Sequence, residues 1–96
     1  MSNHNQRTIK QVIDELLRTY QIDGKMAEVK LVSSWEKVMG AMIAKHTTDI
    51  FVRNKQLFVR LDSAALRQEL SYGKEKIVKM LNDVAGGQII EQVIFQ

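Results

Sequence analysis

The hydrophobic pattern changes its period near the middle of the chain, and this change constrains the fold more than any other feature. Before Thr47, apolar residues recur every three or four positions, which is typical of amphipathic helices. From Thr47 they alternate, as in a strand with one buried face. The sequence therefore predicts an α+β fold with the order α-α-β-β-α-β.

Two helices are predicted before that change. The first runs from about Gln6 to Tyr20 and ends before Asp23-Gly24, where glycine accepts positive φ and aspartate can cap a new helix. The second begins near Lys25 and continues to about Lys45, with Trp35 expected to anchor it on the sheet. Gly40 inside this helix costs about 1 kcal/mol relative to alanine, which suggests close approach of another backbone.

A β-hairpin is predicted next. A tight turn at Asn54-Lys55 places three apolar or β-branched pairs opposite one another: Val52 with Leu57, Ile50 with Val59, and Thr48 with Leu61. Lysine is a poor second residue for such a turn, so a looser loop is the alternative.

A third helix and a closing strand complete the prediction. Asp62 and Ser63 are suitable N-caps for the helix, Gly86-Gly87 is suited to end it, and Gln88 to Phe95 is rich in strand-forming residues. A strand that follows a hairpin through a helix lies parallel to one of the hairpin strands, so a three-stranded mixed sheet packed by helices is expected. Residues 6–96 are predicted to form one domain after a disordered start at residues 1–5, because 96 residues supply a single core.

Several classes of function are disfavoured. The chain has no cysteine, which indicates a reducing, cytoplasmic location. It has neither a signal-peptide pattern nor the ~18 consecutive apolar residues that a membrane-spanning helix needs. His46 is expected to satisfy a local hydrogen bond, and the acids are spread singly, so no catalytic site, metal or cofactor is predicted. The segment Gly73 to Lys76 lacks the glycines of a phosphate loop and falls inside a helical pattern.

The second face of the hairpin carries aromatic and basic residues. The register that buries the apolar pairs sets Phe51 opposite Phe58, with Arg53 and Arg60 beside them. Single-stranded nucleic acid stacks on such surfaces. The alternative is a second small core, covered by helix one or by another copy of the chain through Phe51 and Phe58.

Fourteen Lys and Arg against eleven Asp and Glu give a net charge of +3, a modest preference for anionic partners. We expect phosphate contacts from the basic residues of the hairpin and the third helix: Arg53, Lys55, Arg60, Arg67, Lys74, Lys76 and Lys79. A dilute basic stripe of this kind can equally be a solvated face.

Short motifs along almost the whole chain resemble the DciA-like family, long filed as a domain of unknown function. The matching features are Trp35 with Gly40 five residues later, Ala44-Lys45-His46-Thr47, Leu57-Phe58-Val59, Ser63 before Leu66, and Leu81-Asn82.

The resemblance implies a KH-like fold and a non-enzymatic role in bacterial DNA replication, as a partner that helps to load the replicative helicase DnaB and binds single-stranded DNA weakly. Better-known members carry a long basic C-terminal extension, whereas this sequence ends at its predicted last strand. The Gly-x-x-Gly clamp of RNA-binding KH domains is absent, so RNA binding is kept only as an alternative. A homodimer acting as a protein-interaction module is the other alternative.

Overall fold

The computed structural model describes residues 8–20 and 23–96. These residues form six helices and three strands: α1 (Ile9–Tyr20), α2 (Asp23–Ser33), α3 (Trp35–Met39), α4 (Ala41–Lys45), β1 (Thr47–Arg53), β2 (Gln56–Leu61), α5 (Ala64–Ser71), α6 (Lys74–Ala85) and β3 (Gln92–Phe95). The predicted disordered start and the predicted beginning of helix one at Gln6 lie outside the described residues.

The strands form one mixed sheet, as predicted, and their order in the sheet is β1-β2-β3. β1 and β2 are antiparallel, and β3 is parallel to β2. The α5 and α6 segment makes the crossover that two parallel neighbours require. The predicted α+β class and the mixed three-stranded sheet are therefore confirmed.

The predicted second helix is wrong in its continuity, because it is divided into α2, α3 and α4. Gly40 separates α3 from α4 with φ +94° and ψ 161°, a region that L-residues with a side chain rarely enter. A Cβ at Gly40 would have nothing within 4 Å, so the expected close approach of another backbone is also wrong. Glycine is needed here for the direction of the backbone and not for space.

The predicted third helix is likewise two helices. Ser63 caps α5 as expected, since its Oγ accepts a hydrogen bond from the Leu66 N–H at 3.2 Å. The chain breaks at Tyr72 and Gly73, so Gly73 is the N-cap of α6 and Lys74 to Lys76 form its first turn. The predicted stop is confirmed, because Gly86 has φ +88° and its N–H donates to the Asn82 carbonyl at 2.8 Å.

The hairpin has the predicted tight turn. Asn54 and Lys55 have φ values of 52° and 61°, which define a type I′ turn, and Ile50 pairs with Val59 as Val52 does with Leu57. The predicted pairing of Thr48 with Leu61 is wrong, because the register shifts between Thr47 and Asp49 and Thr47 becomes the partner of Leu61.

Two hydrogen bonds account for that shift. The Thr47 hydroxyl donates to the Ile43 carbonyl at 2.8 Å and accepts from Trp35 Nε1 at 3.0 Å, which fixes Thr47 against the helices. Thr48 becomes the extra residue of a β-bulge, and its hydroxyl donates to the Arg60 carbonyl at 3.3 Å.

The core lies on one face of the sheet, between the strands and helices α2, α3 and α6. Its buried members are Leu31, Trp35, Leu57, Val59, Leu61, Ile77, Leu81, Ile90 and Val93. Trp35 is buried as predicted and lies 6.4 Å from the Phe95 ring between centroids. The predicted start of the closing strand at Gln88 is wrong, because β3 begins at Gln92, and Ile90, which precedes it, is completely buried.

Candidate functional site

The sheet face that points away from the core carries a row of apolar side chains. Phe51 pairs with Phe58, and Phe58 pairs with Ile94, so one residue from each strand contributes to the row. The two phenylalanine rings are stacked, with centroids 5.0 Å apart and an interplanar angle of 12°. We call this surface the open face: the apolar row together with Asp49, Arg53, Gln56, Arg60 and Gln92.

The apolar row is only partly shielded. Phe51 keeps 37% of its surface exposed, and Phe58 and Ile94 are half-buried. The rings thus remain accessible from the side that faces away from the core. The predicted pairing of Phe51 with Phe58 is confirmed by the strand register.

Arginines stand at both ends of the aromatic pair. The Arg53 guanidinium carbon lies 6.0 Å from the centroid of the Phe51 ring, and Arg60 follows Phe58 by two residues on the same face. Asp49 is opposite Arg60 in the register, but its carboxylate accepts a hydrogen bond from the Ile50 N–H at 3.0 Å. Both arginines are exposed, and the open face thus combines flat aromatic surface with positive charge.

The remaining predicted cations do not all join this surface. Lys55 is exposed in the hairpin turn, where its carbonyl accepts from the Glu91 N–H at 2.7 Å. Lys74 lines a groove at the edge of β3 together with Glu75 and Glu91. Lys76 and Lys79 are exposed on α6, whose Ile77 and Leu81 are buried in the core on the other side of the sheet. The structure therefore places the predicted basic residues on more than one surface.

Arg67 has a different environment from the other six cations. Its side chain is half-buried, and its Nη1 donates to the Leu61 carbonyl at 2.6 Å. This hydrogen bond joins α5 to the end of β2. A phosphate contact from Arg67 stays a prediction, but its guanidinium already has a partner within the domain.

Asn82 organises the segment that leads into the open face, and sequence reasoning did not single it out. This buried side chain in α6 donates through Nδ2 to the Ile90 carbonyl at 2.8 Å. Its Oδ1 accepts from the N–H groups of Ile89 and Ile90 at 3.1 and 3.0 Å. The available signal was the Leu81-Asn82 pair among the family-like motifs, to which composition and periodicity assign no role.

His46 does make a hydrogen bond, as expected, although its partner is distant in sequence. His46 Nδ1 lies 2.8 Å from Asp62 Oδ1, and the Asp62 N–H donates to the His46 carbonyl at 3.0 Å. These contacts join the end of α4 to the end of β2. Within residues 8–20 and 23–96, no group of three or more His, Cys, Asp or Glu side chains could hold a metal ion. No helix in the same ranges is long and apolar enough to cross a bilayer.

A family model described as "Dna[CI] antecedent, DciA" matches residues 8–95. The chain belongs to the DciA family. The resemblance found in the sequence motifs is thereby confirmed, while the KH-like description of the fold stays a prediction.

A curated DciA-family relative is similar over part of its length. It is a UPF0232 protein of Corynebacterium glutamicum (strain R), 32% identical over 63 residues, which cover 66% of this chain and 35% of the relative. The alignment thus spans about a third of the relative. The match supports membership of the family, but it covers too little of the longer protein for that protein's activity to be assigned to this chain.

Proposed function

We propose that this protein is a non-enzymatic adaptor of bacterial DNA replication that binds the replicative helicase DnaB and, weakly, single-stranded DNA. The observation that carries the proposal is membership of the DciA family over residues 8–95. The helicase-loading role that the family resemblance implies would be exercised in the cytoplasm, which accords with the absence of cysteine.

The open face is the proposed site for single-stranded DNA. Bases stack on aromatic rings with little sequence preference, and neighbouring arginines contact the phosphates. Phe51, Phe58, Arg53 and Arg60 supply both groups on one surface. We assign Lys55, Lys74, Lys76 and Lys79 a secondary role in attracting the strand, because they lie at the turn, at the sheet edge and on α6.

The DNA proposal is tested by fluorescence anisotropy with a labelled oligothymidine at several salt concentrations. For single strands the slope of log K against log salt is about −0.7 per phosphate contact, so R53E with R60E should flatten it by about 1.4. K30E with K37E is the matched control, since it changes the net charge equally at exposed lysines of α2 and α3, away from the open face. Equal losses in the two double variants would mean that net charge alone drives binding, and the open face would be rejected as the site.

Stacking is tested separately with Phe58→Ala. A base stacked on this ring should contribute about 1–3 kcal/mol, so the variant should weaken binding roughly 5- to 150-fold. The salt slope should remain unchanged, because no charge is removed. If F58A binds as tightly as the unmodified chain, base stacking on the open face is refuted. Binding of an oligouridine in parallel distinguishes a preference for DNA from the RNA-binding alternative.

The helicase proposal is tested by immobilising the full chain and adding purified bacterial DnaB. We expect retention of DnaB without DNA, measured by interferometry against an unrelated basic protein of similar size. Lack of retention at micromolar DnaB would contradict the adaptor proposal even if the chain binds DNA.

The exposed aromatic row favours one alternative, a protein-interaction module that forms a homodimer through Phe51 and Phe58. Exposed apolar surface commonly marks an interface. In this case Phe58→Asp should convert a dimer to a monomer in sedimentation velocity. An unchanged assembly state would exclude the open face as the dimer contact.

A further inference from the structure

Three apolar residues of the amphipathic helix α1 are left uncovered by the rest of the described residues. Ile9, Val12 and Ile13 occupy one face at helical spacing, and between 44% and 79% of their surfaces are exposed. Helices of this length gain most of their stability from packing an apolar face. α1 therefore presents a surface suited to packing against a second apolar surface.

A matching concave surface lies between α2 and the edge strand β1. It is a groove of about 370 Å³ whose apolar lining is Val29 and Val32 of α2 with Ile50, Phe51 and Val52 of β1. Val29 is 62% exposed, so the floor of the groove is open to a partner.

The shape of the groove fits a short helix. Its lining positions on α2 run from residue 25 to residue 33 at helical spacing, a distance of about 12 Å along the helix axis. α1 has 12 residues and is therefore about 18 Å long, which is sufficient to cover the groove. Ile9, Val12 and Ile13 have the i, i+3, i+4 spacing with which a helix presents anchors to such a groove.

We propose that α1 of one copy packs into the groove between α2 and β1 of a second copy, and that the exchange is reciprocal. The described apolar residues of α1 are exposed, and none of them lines the groove of its own chain. Only residues 21 and 22 join α1 to α2, and short connections favour exchange between copies over reversal within one chain.

Reciprocal exchange closes into a two-fold dimer, because the same helix and the same groove are used twice. The exposed fractions of the two surfaces correspond to on the order of 1,200 Å² of total buried area, the lower end of what stable interfaces bury. The dimer should therefore dissociate on dilution. This inference does not depend on DnaB or DNA.

Sedimentation velocity over a concentration series provides the first test. Ile13→Asp on the helix and Val29→Asp in the groove should each raise the dimer dissociation constant at least tenfold. Both positions are exposed in the single copy, so circular dichroism should show an unchanged fold. Met42→Asp is the matched control, because Met42 is 60% exposed on α4 and outside the groove, and it should dimerise normally.

Disulfide trapping tests which copy supplies the helix. The chain has no cysteine, so one can be introduced at each surface: I13C in one preparation and V29C in another. Under mild oxidation, mixing the two should give more covalent dimer than either preparation alone.

Two results would overturn the proposal. One is an unmodified chain that stays monomeric throughout the concentration series, together with I13C and V29C preparations that form no mixed disulfide on oxidation. The other concerns a double variant that carries both I13C and V29C. If it forms an intramolecular disulfide at high dilution while the mixed single variants give no covalent dimer, α1 occupies the groove of its own chain.

Discussion

Replacement of Asn82 by alanine should be among the most destabilising single changes in the described domain. The amide makes three hydrogen bonds to the backbone of Ile89 and Ile90, and Ile90 is completely buried. Asn82→Ala leaves the N–H and the carbonyl of Ile90 without these partners in the interior, at about 1–3 kcal/mol each. The N–H of Ile89 keeps a partner in the variant, because it also donates to the Gly87 carbonyl at 3.0 Å.

The expected loss in free energy of unfolding is therefore about 2–6 kcal/mol, a large share of the roughly 5–15 kcal/mol typical of a domain. Urea denaturation followed by the fluorescence of Trp35, the single tryptophan, measures this loss directly. Asp83→Ala is the matched control, because Asp83 is the exposed neighbour on the same helix, and it should change stability by less than about 0.5 kcal/mol. A loss below about 1 kcal/mol in N82A would refute the assignment of Asn82 as the residue that holds the entry to β3.

Two further changes test the local structure. Gly40→Ala should lower the free energy of unfolding by about 1–3 kcal/mol, because φ +94° with ψ 161° strains any residue with a Cβ; a neutral result in urea denaturation would contradict the observed break between α3 and α4. Arg67→Ala should lower stability by about 1–3 kcal/mol through loss of the bond to the Leu61 carbonyl. The slope of DNA binding against salt should be the same in R67A as in the unmodified chain, and a slope reduced by about 0.7 would show a phosphate contact instead.

The hairpin could be predicted almost completely because its determinants are local. A period of two defines which side chains are buried, and a one-residue slip would expose all of them. Asn54 tolerates positive φ, and the flanking strands brought Lys55 into the same region despite its poorer intrinsic preference. Only the pairing of Thr48 with Leu61 was wrong, since the bulge at Thr48 depends on hydrogen bonds from Thr47 to residues of α3 and α4.

The helix boundaries could not be predicted from periodicity. α2 and α3 both contribute apolar residues to the same core, Leu31 and Trp35, so the apolar pattern continues across the break at Ser34. The same holds for α5 and α6 on either side of Gly73. Periodicity reports which face is buried, whereas the end of a helix is set by the backbone conformation of single residues such as Gly40.

In the candidate site, too, the residues placed by local strand register could be predicted, whereas those placed by distant contacts could not. Phe51, Phe58, Arg53 and Arg60 were found from the sequence because strand register alone places them on one face. Whether the lysines of α6 join them depends on which side of the sheet the crossover helix packs, and that is decided by burial of Ile77 and Leu81. Asn82 acts through residues seven and eight positions away, beyond the reach of a local pattern.

Phe51 connects the two proposed surfaces, because it belongs to the apolar row and also lines the groove beside α2. A helix in the groove would contact Phe51 at the sheet edge, while Phe58 and Arg60 of β2 would remain on the open face. Exchange of α1 and binding of single strands are therefore compatible in one molecule. A two-fold dimer presents two open faces, and a strand long enough to reach both would bind with a higher effective affinity than either face provides alone. Loss of dimerisation in V29D should then weaken binding of long oligonucleotides more than of short ones, whereas F58A should weaken both.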